Sequence, residues 1–314
     1  MKKLILATFV TIFMSSCNLN SQVKLDKKID ELINLAVISD SLMDLSSSVK
    51  YYTEVLTLDS TKLIALNNRG RALVWLGEIN RGFTDFDMAV KLYPHEETHY
   101  TRGMTYLSIN KFNKASDDLM KSIELNPKFV DAYYGLSLLK YMQDSLKEAL
   151  IFCNIADNIS YRPKDSHQMR AVIFQKREDF ESAIYELNET IKLIPNSPEN
   201  YNNRGLAKNE LGYYQDAIAD FNHAIQLNSK MAFVYNNKAF ALFKLNQLDN
   251  ALKTVNMSLE LNGSNAYALK NRGEIFNALK QPDKACIDLA EASKLSNDKK
   301  LTMQIQTLRN KICK

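Results

Sequence analysis

Histidine, cysteine and a regular series of arginines and acids are the side chains through which this chain could do covalent, metal or acid–base chemistry. His95, His99, His167 and His223 form no HExxH zinc pair, and neither a GxSxG elbow nor a Gly-rich phosphate loop occurs. Each histidine falls where packing or surface exposure accounts for it. Cys17, Cys153, Cys286 and Cys313 show no CxxC or Cys/His spacing, so neither a metal site nor a cofactor is expected. With no nucleophile–base set either, the chain reads as a protein without catalysis of its own. Covalent modification, ion pairing and recognition remain.

Residues 1–16, MKKLILATFVTIFMSS, join a basic start to an apolar run from Leu4 to Met14. That run is too short to span a bilayer comfortably and suits a secretory leader. It ends Met14-Ser15-Ser16-Cys17, which resembles the lipobox of bacterial lipoproteins, with Met14 where Leu is usual. The resemblance implies a leader over 1–16, acylation of Cys17, and an outer-membrane lipoprotein facing the periplasm. An ordinary leader or a short anchor with a coincidental cysteine is the alternative. Residues 17–28 then read as the lipidated cysteine and a polar tether. Export would permit a bridge between Cys286 and Cys313, the only pair near in sequence, although free buried thiols are expected.

The charge balance excludes a phosphate-binding surface. Lys and Arg number 40 against 36 acids, for a net +4, and loss of Lys2 and Lys3 with the leader would leave about +2. Only 9 Gly and 6 Pro occur, where average usage gives roughly 22 and 16. A nucleotide-binding doubly wound sheet or a strand-rich sandwich needs more turn residues than that. The chain is read as all-α.

The elements that must position the charged series are set by an internal repeat of about 34 residues. Copies run over 29–62, 63–95, 96–129, 130–163, 164–197, 198–231, 232–265 and 266–297. Counting from the start of each copy, position 8 is always small (Ala36, Gly70, Gly103, Ser137, Ala171, Gly205, Ala239, Gly273). Position 20 is small as well (Ser48, Gly82, then Ala115, Ala149, Ala183, Ala217, Ala251, Ala285). Two helices, A and B, can cross closely only where side chains vanish, so these columns mark their contact. Position 24 is apolar throughout, giving B its buried stripe. Pro94, Pro127 and Pro195 stop helix B, and Pro282 suits a first helical turn.

Small-8, Ala-20, apolar-24 and Pro-32 resemble the tetratricopeptide repeat (TPR) family. The resemblance covers about 270 of the 314 residues and implies an α-solenoid of eight repeats in a right-handed superhelix, with a capping helix over 298–314. It also implies a concave wall made by helix A near positions 2, 5, 6, 9, 12 and 13.

Position 7 holds Arg69, Arg102, Arg170, Arg204 and Arg272, with Lys238 in the seventh copy. Position 23 of the same copies reads Asp85, Asp118, Glu186, Asp220, Asp288 and, beside Lys238, Thr254. Where position 7 is Leu35 or Leu136, position 23 is Tyr51 or Phe152. The two positions change together, so structural ion pairs between A and B within a repeat are expected: Arg69–Asp85, Arg102–Asp118, Arg204–Asp220 and Arg272–Asp288.

Asn68, Asn203, Asn237 and Asn271 at position 6, beside Asn67, Asn202 and Asn236 at position 5, are similar to the asparagine ladder with which long TPR superhelices hold peptides. The chain holds 30 asparagines, so composition accounts for part of the column. Among groove aromatics (Trp75, Tyr100, Tyr134, Phe233, Phe240, Phe243, Tyr267), Tyr100, Tyr134 and Phe240 are expected partner anchors. Gln168, Val172, Asn203, Phe233 and Asn237 do not supply the carboxylate clamp of chaperone-binding TPRs. Asp40-Ser41-Leu42, Asp59-Ser60-Thr61 and Asp144-Ser145-Leu146 resemble O-glycosylation acceptors, but helix capping is the expected role of these turns. The expected function is a lipid-anchored scaffold that binds a protein or extended peptide, with membrane contact through the lipid alone and no nucleic acid. A structural subunit of an envelope secretion or assembly complex, docking by its convex face or ends, is the alternative.

Overall fold

A computed structural model describes residues 23–160 and 162–313. The leader and Cys17 lie outside the described residues. The chain divides into two compact units with the boundary after Ser160. In the first, residues 23–41 form α1, followed by α2 (Leu45–Leu58), α3 (Leu63–Trp75), α4 (Ile79–Leu92), α5 (Glu96–Ser108), α6 (Phe112–Leu125), α7 (Val130–Met142) and α8 (Leu146–Ile159). The second holds α9 (Pro163–Lys176), α10 (Phe180–Leu193), α11 (Pro198–Glu210), α12 (Tyr214–Leu227), α13 (Ala232–Lys244), α14 (Leu248–Leu261), α15 (Ala266–Ala278), α16 (Pro282–Leu295) and α17 (Lys299–Ile312). Each unit is an all-α solenoid of A–B hairpins. Within a unit, each A helix packs on the B helix before it.

The A–B crossing follows from the small columns. Every position-20 residue is buried, and so is every position-24 side chain, from Tyr52 to Leu289. At the closest approach, a Cβ on Gly82 would stand 2.5 Å from the Gly70 carbonyl, so the backbones of α3 and α4 touch there. The proline positions hold: α4, α6 and α10 end two residues before Pro94, Pro127 and Pro195, and α16 starts at Pro282.

The turn from A to B repeats with equal regularity, and its key residue carries no fixed type. Position 15 has positive φ in all eight hairpins, through Met43, Gly77, Asn110, Asp144, Glu178, Gly212, Asn246 and Lys280. The next amide bonds back five residues, as in Glu78 N to the Leu73 carbonyl at 2.9 Å, closing the left-handed helix cap that usually selects glycine. Only two of these eight residues are glycine.

Three expectations need correction. The tether is shorter than 17–28, because α1 already includes 23–28. Leu25 extends the stripe of Ile29, Leu32 and Ala36 and packs on the same core. Cys286 and Cys313 are bridged rather than free thiols. The last turn of α17 packs back on the first turn of α16 and brings the two Cα atoms within 5.6 Å, while Cys153 is buried. Capping does not explain the Asp-Ser turns uniformly. Asp40 accepts from the Ser48 hydroxyl at 2.5 Å and from Tyr52 Oη at 3.1 Å, linking α1 to α2. Ser145 makes no side-chain cap bond, and Asp59 closes a local turn on Thr61 N at 2.9 Å.

Candidate functional site

The position-7 arginines sit half-buried against helix B. Arg69, Arg102, Arg204 and Arg272 each place Nε and Nη2 on both oxygens of Asp85, Asp118, Asp220 and Asp288, at 2.5–3.0 Å. All four carboxylates are buried. This fork-on-carboxylate geometry is the strong, planar form of the charge-assisted bond. The third arm crosses to the preceding repeat, which the sequence comparison did not anticipate. Nη1 donates to Thr53 (3.3 Å), Asp87 (2.7 Å), Asn188 (2.7 Å) and Asn256 (3.0 Å), all at position 25 of helix B one repeat earlier. One guanidinium therefore fixes A to B and also repeat to repeat. Bonding to Asp118 holds Arg102 more firmly protonated than usual. His99 adds Nδ1 to Asp118 at 3.0 Å, and His167 meets Glu186 at 2.5 Å, so two of the four histidines serve the same seam.

The asparagine column is turned onto itself. Asn237 Nδ2 donates to Asn202 Oδ1 at 2.9 Å, and Asn271 Nδ2 to Asn236 Oδ1 at 2.8 Å, each across one repeat. Asn202, Asn236 and Asn271 are buried. Asn202 also donates to Asn203 Oδ1 at 3.3 Å. From position 12, Gln175 and Asn209 donate to the backbone carbonyls of Asn203 and Asn237 at 2.9 and 3.4 Å. In the first unit, Asn68 donates to Tyr52 Oη at 3.0 Å and accepts from Arg71 at 2.9 Å. Burial and the nearby Asp40 push the Tyr52 hydroxyl up to about 12, so it stays protonated within that chain of bonds. In the second unit the amides thus join neighbouring A helices, while Asn68 ties α3 to the B helix α2. Sequence spacing placed them on the correct face, and it could not show that adjacent repeats bring position 6 within reach of position 5.

The remaining A-helix positions line cavities. In the second unit, a cavity of about 670 Å³ is walled by Phe240, Lys244, Lys270 and Glu274 of α13 and α15, with Lys300, Met303 and Leu308 of α17. Lys244 lies over the Phe240 ring at 5.2 Å, and Lys270 pairs with Glu274 at 2.9 Å. In the first unit, a cavity of about 290 Å³ is lined by Arg71, Trp75, Tyr100, Met104 and Ser108, with Arg71 over Trp75 at 5.6 Å. In both, repeat positions 5, 9 and 13 form the wall. Of the expected anchors, Phe240 and Tyr100 line these cavities. Tyr134 instead donates to Asp157 Oδ1 at 2.8 Å, within its own hairpin. Trp75, a groove aromatic not expected as an anchor, and Lys244, which the sequence reading did not single out, are exposed there and share the position-13 register.

Comparison with known proteins matches residues 96–129 and 198–231 to the tetratricopeptide repeat family. A human protein, tetratricopeptide repeat protein 13, is 32% identical over 105 residues, which is 31% of this chain and 12% of that protein. The wheat Hsp70-Hsp90 organizing protein is 24% identical over 176 residues, 54% of this chain and 30% of its own length. The chain thus spans under a third of either relative. Among solved structures, the APC/C hetero-tetramer Cut9-Hcn1 superposes with a TM-score of 0.63 at 21% identity, covering 90% of this chain and 55% of that one. That likeness is one of fold.

Proposed function

We propose that this chain is a lipid-anchored TPR scaffold that holds a protein or extended peptide along its A helices and performs no chemistry itself. The matched repeats and the solenoid fold support a TPR protein, and such folds suggest protein–protein interaction. The observation that carries the reading is the pair of cavities lined by positions 5, 9 and 13, one in each unit. Each combines an aromatic side chain with an overlying cation, the type of surface on which hot spots concentrate. The peptide contacts are thereby assigned to Arg71, Trp75 and Tyr100 in the first unit and to Phe240, Lys244 and Lys270 in the second. The asparagines stay in the joints.

Attachment through Cys17 rests on the leader and its lipobox-like end. The Cys286–Cys313 bridge supports export, because structural disulfides persist in oxidising compartments. The test is to express wild type, Cys17→Ser and a Phe240→Ala/Lys270→Ala variant in a diderm host, with alkyne-palmitate labelling and membrane fractionation. Label and membrane association should vanish only in Cys17→Ser, and a crosslinked partner only in the groove variant. A labelled Cys17→Ser protein would sink the anchor, and an unchanged crosslink pattern would sink the groove.

A further inference from the structure

In the second unit, repeat seven lacks the fork that repeats six and eight share. Repeats six and eight pair Arg204 with Asp220 and Arg272 with Asp288, but repeat seven has Lys238 at position 7 and Thr254 at position 23. Among the described residues, no carboxylate lies within ion-pair distance of Lys238, and burial alone pulls the pKa of its ammonium down. The Thr254 hydroxyl is committed to the Asn250 carbonyl at 2.7 Å and does not replace the missing acid. Position 25 of the preceding repeat, where the other arginines place their third arm, is Asn222.

A cavity of about 420 Å³ opens at this spot between α12, α13 and α14. Asn222, Lys238, Lys253 and Thr254 line it, with Ile218 and Leu242 as the apolar wall, and no acidic side chain contributes. It therefore offers two ammonium groups and the amides of Asn222 and Asn250 beside apolar surface, in the register where a buried carboxylate sits in the adjoining repeats. An apolar wall disfavours a strongly hydrated dianion such as phosphate, whereas a singly charged carboxylate exchanges its water for lysine and amide donors.

The geometry points to this cavity as a binding site for a carboxylate that carries an apolar group, held by Lys238 in the place where neighbouring repeats hold their own aspartate. The site shares no lining residue with the A-helix cavities and is independent of the proposed partner. Two sources share this chemistry: a free aliphatic acid, and a glutamate side chain flanked by apolar residues.

Calorimetry and ¹⁵N NMR of the lysine ammonium groups, on the mature full chain, would use hexanoate, hexanamide and the peptide acetyl-Leu-Glu-Leu-amide as probes. Saturable binding of hexanoate or the peptide is expected, with hexanamide at least tenfold weaker. Whichever of hexanoate and the peptide binds more tightly identifies the source. Lys238→Met should weaken binding at least tenfold while helicity is retained. Thr254→Asp should also abolish it, because it supplies the internal carboxylate, and should raise Tm. Absence of saturable binding by both carboxylates, or equal binding by Lys238→Met and by Thr254→Asp, would overturn the proposal.

Discussion

Arg272 and Arg204 make the same fork on a buried carboxylate, yet removing them should not have the same cost. Among the described residues, Asp288 pairs with Arg272, whereas Asp220 meets both Arg204 and Lys208, the latter at 2.8 Å. Stranding a buried charge is costly, so Arg272→Met should lose about 3 kcal/mol of stability. Arg204→Met should lose visibly less, and Asp288→Leu on the Arg272→Met background should recover part of the loss. Thermal melts of the four proteins check this. Equal losses at the two sites would mean that Lys208 contributes nothing. The co-variation of positions 7 and 23 made the intra-repeat pair legible from residue types alone. The third arm was not legible, because Thr53, Asp87, Asn188 and Asn256 at position 25 share only the ability to accept. The asparagines misled for a similar reason. An amide satisfies a neighbour as readily as a ligand, and only burial distinguishes the two.

At the scale of the element, the A–B turn carries strain that composition conceals. A non-glycine residue in the left-handed region costs about 1–2 kcal/mol, partly offset by glycine's greater freedom when unfolded. Glu178→Gly or Lys280→Gly should therefore stabilise its unit by about 0.5–1 kcal/mol, read as a rise in Tm. A fall would show that the side chain matters more than φ. The capping helix is held at both ends. Reducing the Cys286–Cys313 bridge, which closes a separation of 27 residues, should cost about 3.5 kcal/mol by chain entropy. Its loss should appear first as faster amide exchange in α17. At the other end, Asp298 caps Leu301 N and accepts from Tyr267, and these bonds hold its carboxyl below the ordinary 3.8. A lowered folded pKa means that this contribution is complete above the ordinary value and is lost as pH falls through the folded one. Exchange at Leu301 and Thr302 should accelerate only below about pH 4. Acceleration beginning nearer pH 6 would implicate another group.

Across the whole chain, repetition made the architecture readable and left the division after Ser160 unreadable. Eight copies with small residues at positions 8 and 20 fix an all-α solenoid, since helices without side chains at a crossing have few other ways to pack. The copies at 130–163 and 164–197 look as continuous in sequence as any other pair, so the boundary between units has no residue signature. The cavities were half legible. Register places positions 5, 9 and 13 on one face, but which of them remain uncovered depends on how large their neighbours are. Trp75 at position 13 stays exposed, while Phe243 at the adjoining position 12 packs against the core.

Site-specific photocrosslinking in native membranes would show whether a partner lies along the A helices. A photoreactive residue would replace Trp75 or Lys244, which line the cavities, or Tyr185 or Ile287, which are exposed on B helices. A partner held there gives adducts from Trp75 and from Lys244 and none from Tyr185 or Ile287. Adducts confined to Tyr185 and Ile287 would contradict this placement and favour a subunit docked by its B-helix face.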